Sequence, residues 1–170
     1  MELTDILPID QWVDFEKEIV RRTGLDSNVF DTSGVRISDF RKWANRLCPA
    51  IKATDRGQSF ICAVAHMNLA IIAQNTGKSV IEECDAGILK MVVPIFVDDA
   101  FVGAIGACGL LLDDGEVDTF MVHKTIYMNE TQIESLAEDI GSIAMRKVEA
   151  VRDYIETRLD EIVQNHKREE

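Results

Sequence analysis

Two apolar runs, Ile88–Val97 and Phe101–Leu112, flank the short polar step Asp98-Asp99-Ala100. Their length and β-branched content make them strands, and the tight acidic step makes them a hairpin. If Asp98-Asp99 is a two-residue turn, Val97 faces Ala100, Pro94 lies opposite Gly103 and Leu89 lies opposite Cys108. Proline donates nothing to a strand ladder, so Pro94 marks an edge or a bulge. The second strand carries Gly103-x-x-Gly106-x-x-Gly109. Glycine in a strand marks a close approach by a helix or by a ligand, and the spacing leaves both open. It is not the G-x-G-x-x-G of dinucleotide sites.

The other elements arrange themselves around this hairpin. Trp12, Phe15, Ile19 and Val20 recur at helical spacing, with Pro8 before them and Thr23-Gly24 as the stop. Asn28–Phe30 and Val35–Ile37 flank the turn 31–34 as two short strands. Asp39–Leu47 has the pattern of a short helix ended by Cys48-Pro49. Phe60–Gln74 is a helix, apolar on most sides and so expected to be buried. Ser79–Cys84 alternates as a strand, and Val117–Tyr127 forms a short helix. From Thr131 to His166 the apolar residues Leu136, Ile140, Ile143, Val148, Val151, Ile155, Leu159 and Ile162 trace one stripe of a long helix. The order gives an α+β fold: an antiparallel sheet flanked by helices, the plan of PAS-like and GAF-like sensor domains.

Charge narrows the partners. With 18 basic and 30 acidic residues the net charge is −12, and no basic run exceeds Arg21-Arg22. Nucleic acid and anionic membranes need clustered Lys and Arg, so neither is expected as a direct partner. The N-terminus lacks the basic start and apolar core of a secretion signal. No stretch reaches the roughly 18 apolar residues of a membrane helix. The expectation is a cytoplasmic protein whose four cysteines are reduced thiols or ligands.

Those cysteines carry most of the chemistry. Cys62 and His66 stand at i and i+4 on one helix face, a spacing at which both can ligate one metal. Cys48, Cys84 and Cys108 add further soft ligands, but no C-x-x-C pair exists. Free cysteine is also a common core filler, so a packing role stands beside the ligand role. Glu82, Glu83 and Asp85 surround Cys84 as solvated acids, and His123 and His166 have charged neighbours. No nucleophile elbow or metalloprotease helix is present, and an enzyme is not expected.

Several motifs occur together in order: a helix ending in Thr23-Gly24, Phe30-Asp31-Thr32-Ser33-Gly34, Cys48 and then Cys62, Cys84-Asp85-Ala86-Gly87-Ile88, and Val93-Pro94-Ile95 before the glycine-rich strand. From about Ile9 to Leu112 the chain thereby resembles the PocR sensory domain, a PAS/GAF-like ligand-binding module of bacterial and archaeal regulators. Two positions depart from that pattern. Asp85 stands where the family usually has His, and Ala107-Cys108-Gly109 replaces a Gly-Gly-Gln-like step.

The resemblance implies a non-catalytic signalling domain over residues 1–130. A C-terminal helix over 131–170 would belong to the same domain, pairing with a second copy or a partner signalling protein. It implies a small-molecule site lined by Cys48, Cys62, His66, Cys84, Asp85, Gly87 and Cys108. The alternatives are a redox or metal sensor, with Cys48, Cys62, Cys84 and Cys108 holding zinc or an iron–sulfur cluster, and a ligand-free interaction module. No output domain is attached, so the C-terminal helix is the expected output.

Overall fold

The structure is a computed structural model and describes residues 1–169. After the short α1 (Leu3–Ile6) comes α2 (Ile9–Thr23), closed by Gly24 in the left-handed conformation. Four strands form one antiparallel sheet in the order β1-β4-β3-β2: β1 (Asp26–Phe30), β2 (Val80–Glu83), β3 (Leu89–Val97) and β4 (Ala100–Cys108). This is the expected α+β, PAS/GAF-like plan, a sheet flanked by helices with a long helix at the C-terminus.

The hairpin turn is the two-residue one. Asp98 and Asp99 both have left-handed backbone, φ 48° and 65°, which matches the twist of the strands. Val97 faces Ala100 and Phe96 faces Phe101, but then the register shifts. Ile95 faces Gly103, Pro94 faces Ala104 and Lys90 faces Cys108. The expected pairs Pro94–Gly103 and Leu89–Cys108 are thus one residue out. Val102 is the extra residue of a bulge in β4. Beside it, a Cβ on Gly103 would lie 2.4 Å from the Phe30 carbonyl oxygen. Glycine there lets the bulged strand close onto β1.

One sheet face holds the main core. Val29, Leu89, Met91, Val93, Ile95 and Ile105 pack against Trp12, Phe15 and Ile19 of α2, and against α8 (Met145–Glu169). Trp12 also donates its indole N–H to the Leu3 carbonyl at 2.9 Å, which ties α1 to α2. The other face packs Val92 and Ala104 on Leu69 and Ala73 of α5 (Val64–Thr76). A third cluster gathers Leu47, Ile51, Ile61, Ala86, Ile88, Val122 and Ile133 at one end of the sheet. It is built by α3 (Leu47–Lys52), α6 (Thr119–Ile126) and α7 (Glu130–Ala137).

Four local expectations change. The helix expected over Asp39–Leu47 instead begins at Leu47 and ends at Lys52. Pro49 lies in its first turn, where a missing N–H costs nothing. The return strand Val35–Ile37 reduces to one bridge, Phe30 with Arg36.

The helix expected over Phe60–Gln74 starts earlier, after the short α4 (Asp55–Gly57), as a π-helical turn over Gln58–Ala63 that runs into α5. Its outer side is not buried: Phe60, Ile71 and Ile72 are exposed.

The single helix expected from Thr131 is two. Gly141 and the two-residue strand β6 (Ser142–Ile143) separate α7 from α8 and pair in parallel with β5 (Leu111–Leu112). The Asp113 carboxylate then accepts the Met145 N–H at 3.0 Å and starts α8. The α8 stripe expected to pair with a second copy is already covered by the chain's own sheet, with Val148, Ile155 and Ile162 all buried. Among the described residues no helix is long and apolar enough to cross a membrane.

Candidate functional site

Between the α5 face of the sheet and the helices over it lies a cavity of ≈ 240 Å³. Its floor is the side of the strands that carries Asp26, Asn28 and Phe30 on β1, Gly106 and Cys108 on β4, and Lys90 on β3. These residues share a face because β1 pairs Asp26 with Cys108 and Asn28 with Gly106, while β3 pairs Lys90 with Cys108. The roof comes from Cys62 on the π-helical turn, His66 on α5, and Cys48 and Lys52 on α3. Arg36 and Trp43 from the irregular segment after β1 close one side, and Cys84 at the end of β2 closes the other. A π-helical turn at a cavity wall is a recurrent device for aiming side chains inward.

The three strand glycines divide the two roles open at the level of sequence. Gly103 packs against the Phe30 backbone and Gly109 against Ala44. Gly106 alone faces the cavity, and a Cβ there would meet Phe30 at 2.9 Å and His66 Nδ1 and Lys90 Nζ at 3.5 Å.

His66 is buried and stacks on Phe30, with ring centroids 3.8 Å apart. Neither ring nitrogen has a hydrogen-bond partner among the described residues. Burial, and then repulsion from Lys90, Lys52 and Arg36, pushes its pKa down to about 3. The imidazole is therefore neutral at physiological pH. The surrounding charges are unbalanced. Arg36, Lys52 and Lys90 are cations, and among the described residues Asp26 is the only carboxylate on the wall.

Asp26 approaches Arg36 at 3.8 Å, beyond hydrogen-bond contact. Burial raises the Asp26 carboxyl above its usual range, although Arg36 opposes the shift. Burial also lowers the affinity of Arg36 and Lys52 for their protons. Arg36 Nε and Nη1 are buried without an acceptor. Beneath the sheet Glu16 is buried, accepting from the Val29 N–H at 2.7 Å and the Ser38 hydroxyl at 2.7 Å. Its carboxyl is raised, first by burial.

All four cysteines are free thiols, and all four reach this one cavity. Burial raises each of Cys48, Cys62 and Cys84, with Cys62 pushed up to about 11. The nearby Cys108 raises each of the three further. Two sulfurs accept hydrogen bonds: Cys48 from Asn45 Nδ2 at 3.2 Å, and Cys84 from the backbone N–H groups of Ile88 and Ala86. Among the described residues no group of three or more His, Cys, Asp or Glu is disposed to hold a metal ion.

Of the seven residues named from the sequence, the cavity brings together Cys48, Cys62, His66, Cys84 and Cys108. It leaves out Asp85 and Gly87. These two line a shallow, open depression on the other side of the turn, with Glu82, Glu83 and Asp118. Gly87 is there for the chain path: its φ is 77°, and a Cβ would lie 2.3 Å from the Glu116 carbonyl oxygen. Asp26, Arg36, Lys52 and Lys90 also line the cavity and are not among the residues expected from the sequence. Lys90 carried a signal, because a charge inside the apolar run Ile88–Val97 is out of place in a buried strand.

No curated protein and no solved structure matches the chain. The family model of the sensory domain found in PocR matches residues 5–167. That span takes in all the strands and nearly all of α8, so the helix lies within the matched region. The chain belongs to the PocR sensory-domain family.

Proposed function

We propose that this chain is a non-catalytic cytoplasmic signalling domain that takes a small molecule into the cavity between the sheet and α5. The family assignment is to a sensory domain. The observation that carries the reading is the cavity itself: ≈ 240 Å³, walled by five of the seven expected residues. That volume lies just below the ~300–1,000 Å³ of pockets for drug-sized ligands, so it suits a metabolite of a few carbons and not a nucleotide or haem. The strands that floor the cavity carry α8 on their opposite face. Occupancy would therefore reach a partner protein or second copy by shifting how α8 packs on the sheet.

The test is thermal unfolding with a panel of small metabolites, run on the wild type and on Gly106→Val. Valine at that position fills the cavity against Phe30, His66 and Lys90. Ligands that stabilise the wild type should fail to stabilise the variant, with near-wild-type circular dichroism as the folding control. Equal stabilisation of both proteins would place the ligand elsewhere.

The donors aimed at the sulfurs of Cys48 and Cys84 favour a second reading, a zinc or iron–sulfur sensor, because such N–H···S contacts support metal-bound thiolates. It stands second because the four thiols and His66 form no ready ligand set. Metal content and the absorption spectrum of anaerobically purified protein decide it, and a colourless, metal-free protein rules it out. If Cys84→Ser and Cys108→Ser leave both metal content and ligand response unchanged, those cysteines only pack, as in an interaction module.

A further inference from the structure

We propose that the cavity's occupant is a small organic anion whose carboxylate is held by Arg36, Lys52 and Lys90. This rests on the reading that the cavity is the ligand site, and it assigns the ligand's chemical class. Three cations meet on the wall of one cavity in a chain whose net charge is −12, so their gathering is not a consequence of composition. Asp26, the one carboxylate on the wall among the described residues, carries a single charge against the three; its ion pair is with Arg36, at 3.8 Å, and Lys52 and Lys90 act on it from farther away.

The orphaned groups point the same way. Arg36 Nε and Nη1 and both His66 ring nitrogens are buried without partners among the described residues. A charged donor left unpaired in a low-dielectric site is costly, and a native protein keeps such a cost where a ligand removes it. An anion supplies acceptors to Arg36 and relieves the repulsion among the three cations. Neutral His66 can donate from one ring nitrogen to the same anion.

Much of the rest of the wall is apolar or soft. Phe30, Ile88 and the thiols offer a surface for a short carbon body, with Asn28, Ser33 and Gln58 as neutral polar groups beside it. A carboxylate on a short apolar body therefore fits better than a bare oxyanion such as phosphate.

The full chain is titrated with acetate, propionate, succinate and glutarate, each beside its uncharged amide and beside inorganic phosphate, at matched ionic strength. Thermal unfolding gives the apparent affinity. At least one carboxylate should stabilise the wild type while its amide does not. Lys90→Met should weaken that carboxylate about tenfold, the worth of one charge-assisted contact. The ligand-free midpoint should not fall, because the variant also removes a mutual repulsion, whereas a structural lysine would lower it. Lys52→Met on α3 gives the same comparison should Lys90→Met not fold.

An amide as good as its acid, or an unchanged affinity in both variants, overturns the assignment. Stabilisation by phosphate alone replaces the carboxylate with an inorganic oxyanion and also overturns it. Uncharged probes that stabilise the wild type but not Gly106→Val remove the anion and leave the cavity as the ligand site. A chain stabilised by nothing loses both readings.

Discussion

His66 should set the acid limit of this fold. Its ordinary pKa of 6.5 is pushed down to about 3 by burial and by Lys90, Lys52 and Arg36. The unfolded chain takes up a proton as pH falls through about 6.5, and the folded chain does not until about 3. Its contribution is therefore fully present above pH 6.5 and is lost progressively as pH falls toward 3. Integrating the proton difference from pH 7 to pH 5 gives about 2 kcal/mol from this one residue. For a chain of this size that is roughly 4–8 °C in midpoint temperature.

The control is His66→Phe, which cannot titrate and keeps an aromatic ring against Phe30. It gives up no hydrogen bond, since neither imidazole nitrogen has a partner among the described residues. At pH 7 the variant should be as stable as the wild type or slightly more so. Between pH 7 and pH 5 the wild type should lose about 2 kcal/mol more than the variant, measured by urea unfolding at constant ionic strength. Equal losses in the two proteins would mean that His66 takes up its proton in the folded state as readily as in the unfolded one. The buried, cation-ringed site would then be wrong.

Other outcomes follow from the packing. Ile155 of α8 is fully buried against the sheet. Ile155→Ala should cost about 2–5 kcal/mol in urea unfolding, with no dependence on protein concentration. A concentration-dependent loss would instead place that stripe between two copies. Gly57→Ala puts a Cβ 2.0 Å from the Ile51 carbonyl oxygen, so the calorimetric midpoint should fall by the equivalent of about 2–3 kcal/mol. Cys62, pushed up to about 11 by burial, is almost wholly protonated at pH 8. Peptide mapping should show iodoacetamide labelling it on the order of 100-fold more slowly in the folded chain than in urea. Replacing Asp98-Asp99 with Asn-Gly, which takes the left-handed turn at less cost, should gain about 1 kcal/mol in thermal unfolding. That gain is partly offset by loss of the Asp98–Lys167 ion pair.

Features whose signal is local were legible before the structure. The hairpin and its turn and α2 with its glycine stop could be anticipated from motif and period, whereas the gathering of Cys48, Cys62, Cys84 and Cys108 was implied by the family resemblance. What depends on a choice between two local solutions was not. The spacing of Leu136, Ile140 and Ile143 fits a helix, but Gly141 and pairing with Leu111-Leu112 pull that stretch into a strand. Cys48-Pro49 looked like a helix end because proline disfavours helix before it, yet proline in the first turn also starts one. Phe60–Gln74 is expected to be buried because it is apolar on most sides, and composition cannot say that Phe60, Ile71 and Ile72 face solvent.

The bulge at Val102 matters most for the site. With an unbroken register from the turn, Leu89 would lie beside Cys108 and share its face of the sheet. One extra residue in β4 puts Lys90 there instead, and Leu89 turns into the core with Met91 and Val93. A one-residue slip in a strand exchanges its two faces. The same slip changes the cavity floor from apolar to cationic. A lysine inside the run Leu89–Val97 looks like an error of patterning in a buried strand. It is consistent once the bulge aims it at Arg36 and Lys52 around a site with one carboxylate. Deleting Val102 removes only the extra residue: Phe96 stays opposite Phe101, Ile95 opposite Gly103 and Lys90 opposite Cys108. The deletion variant should therefore keep Lys90 on the cavity floor and keep any response to carboxylates that the wild type shows in thermal unfolding. A variant with wild-type circular dichroism that loses this response would mean that the bulge itself, and not the register beyond it, positions Lys90.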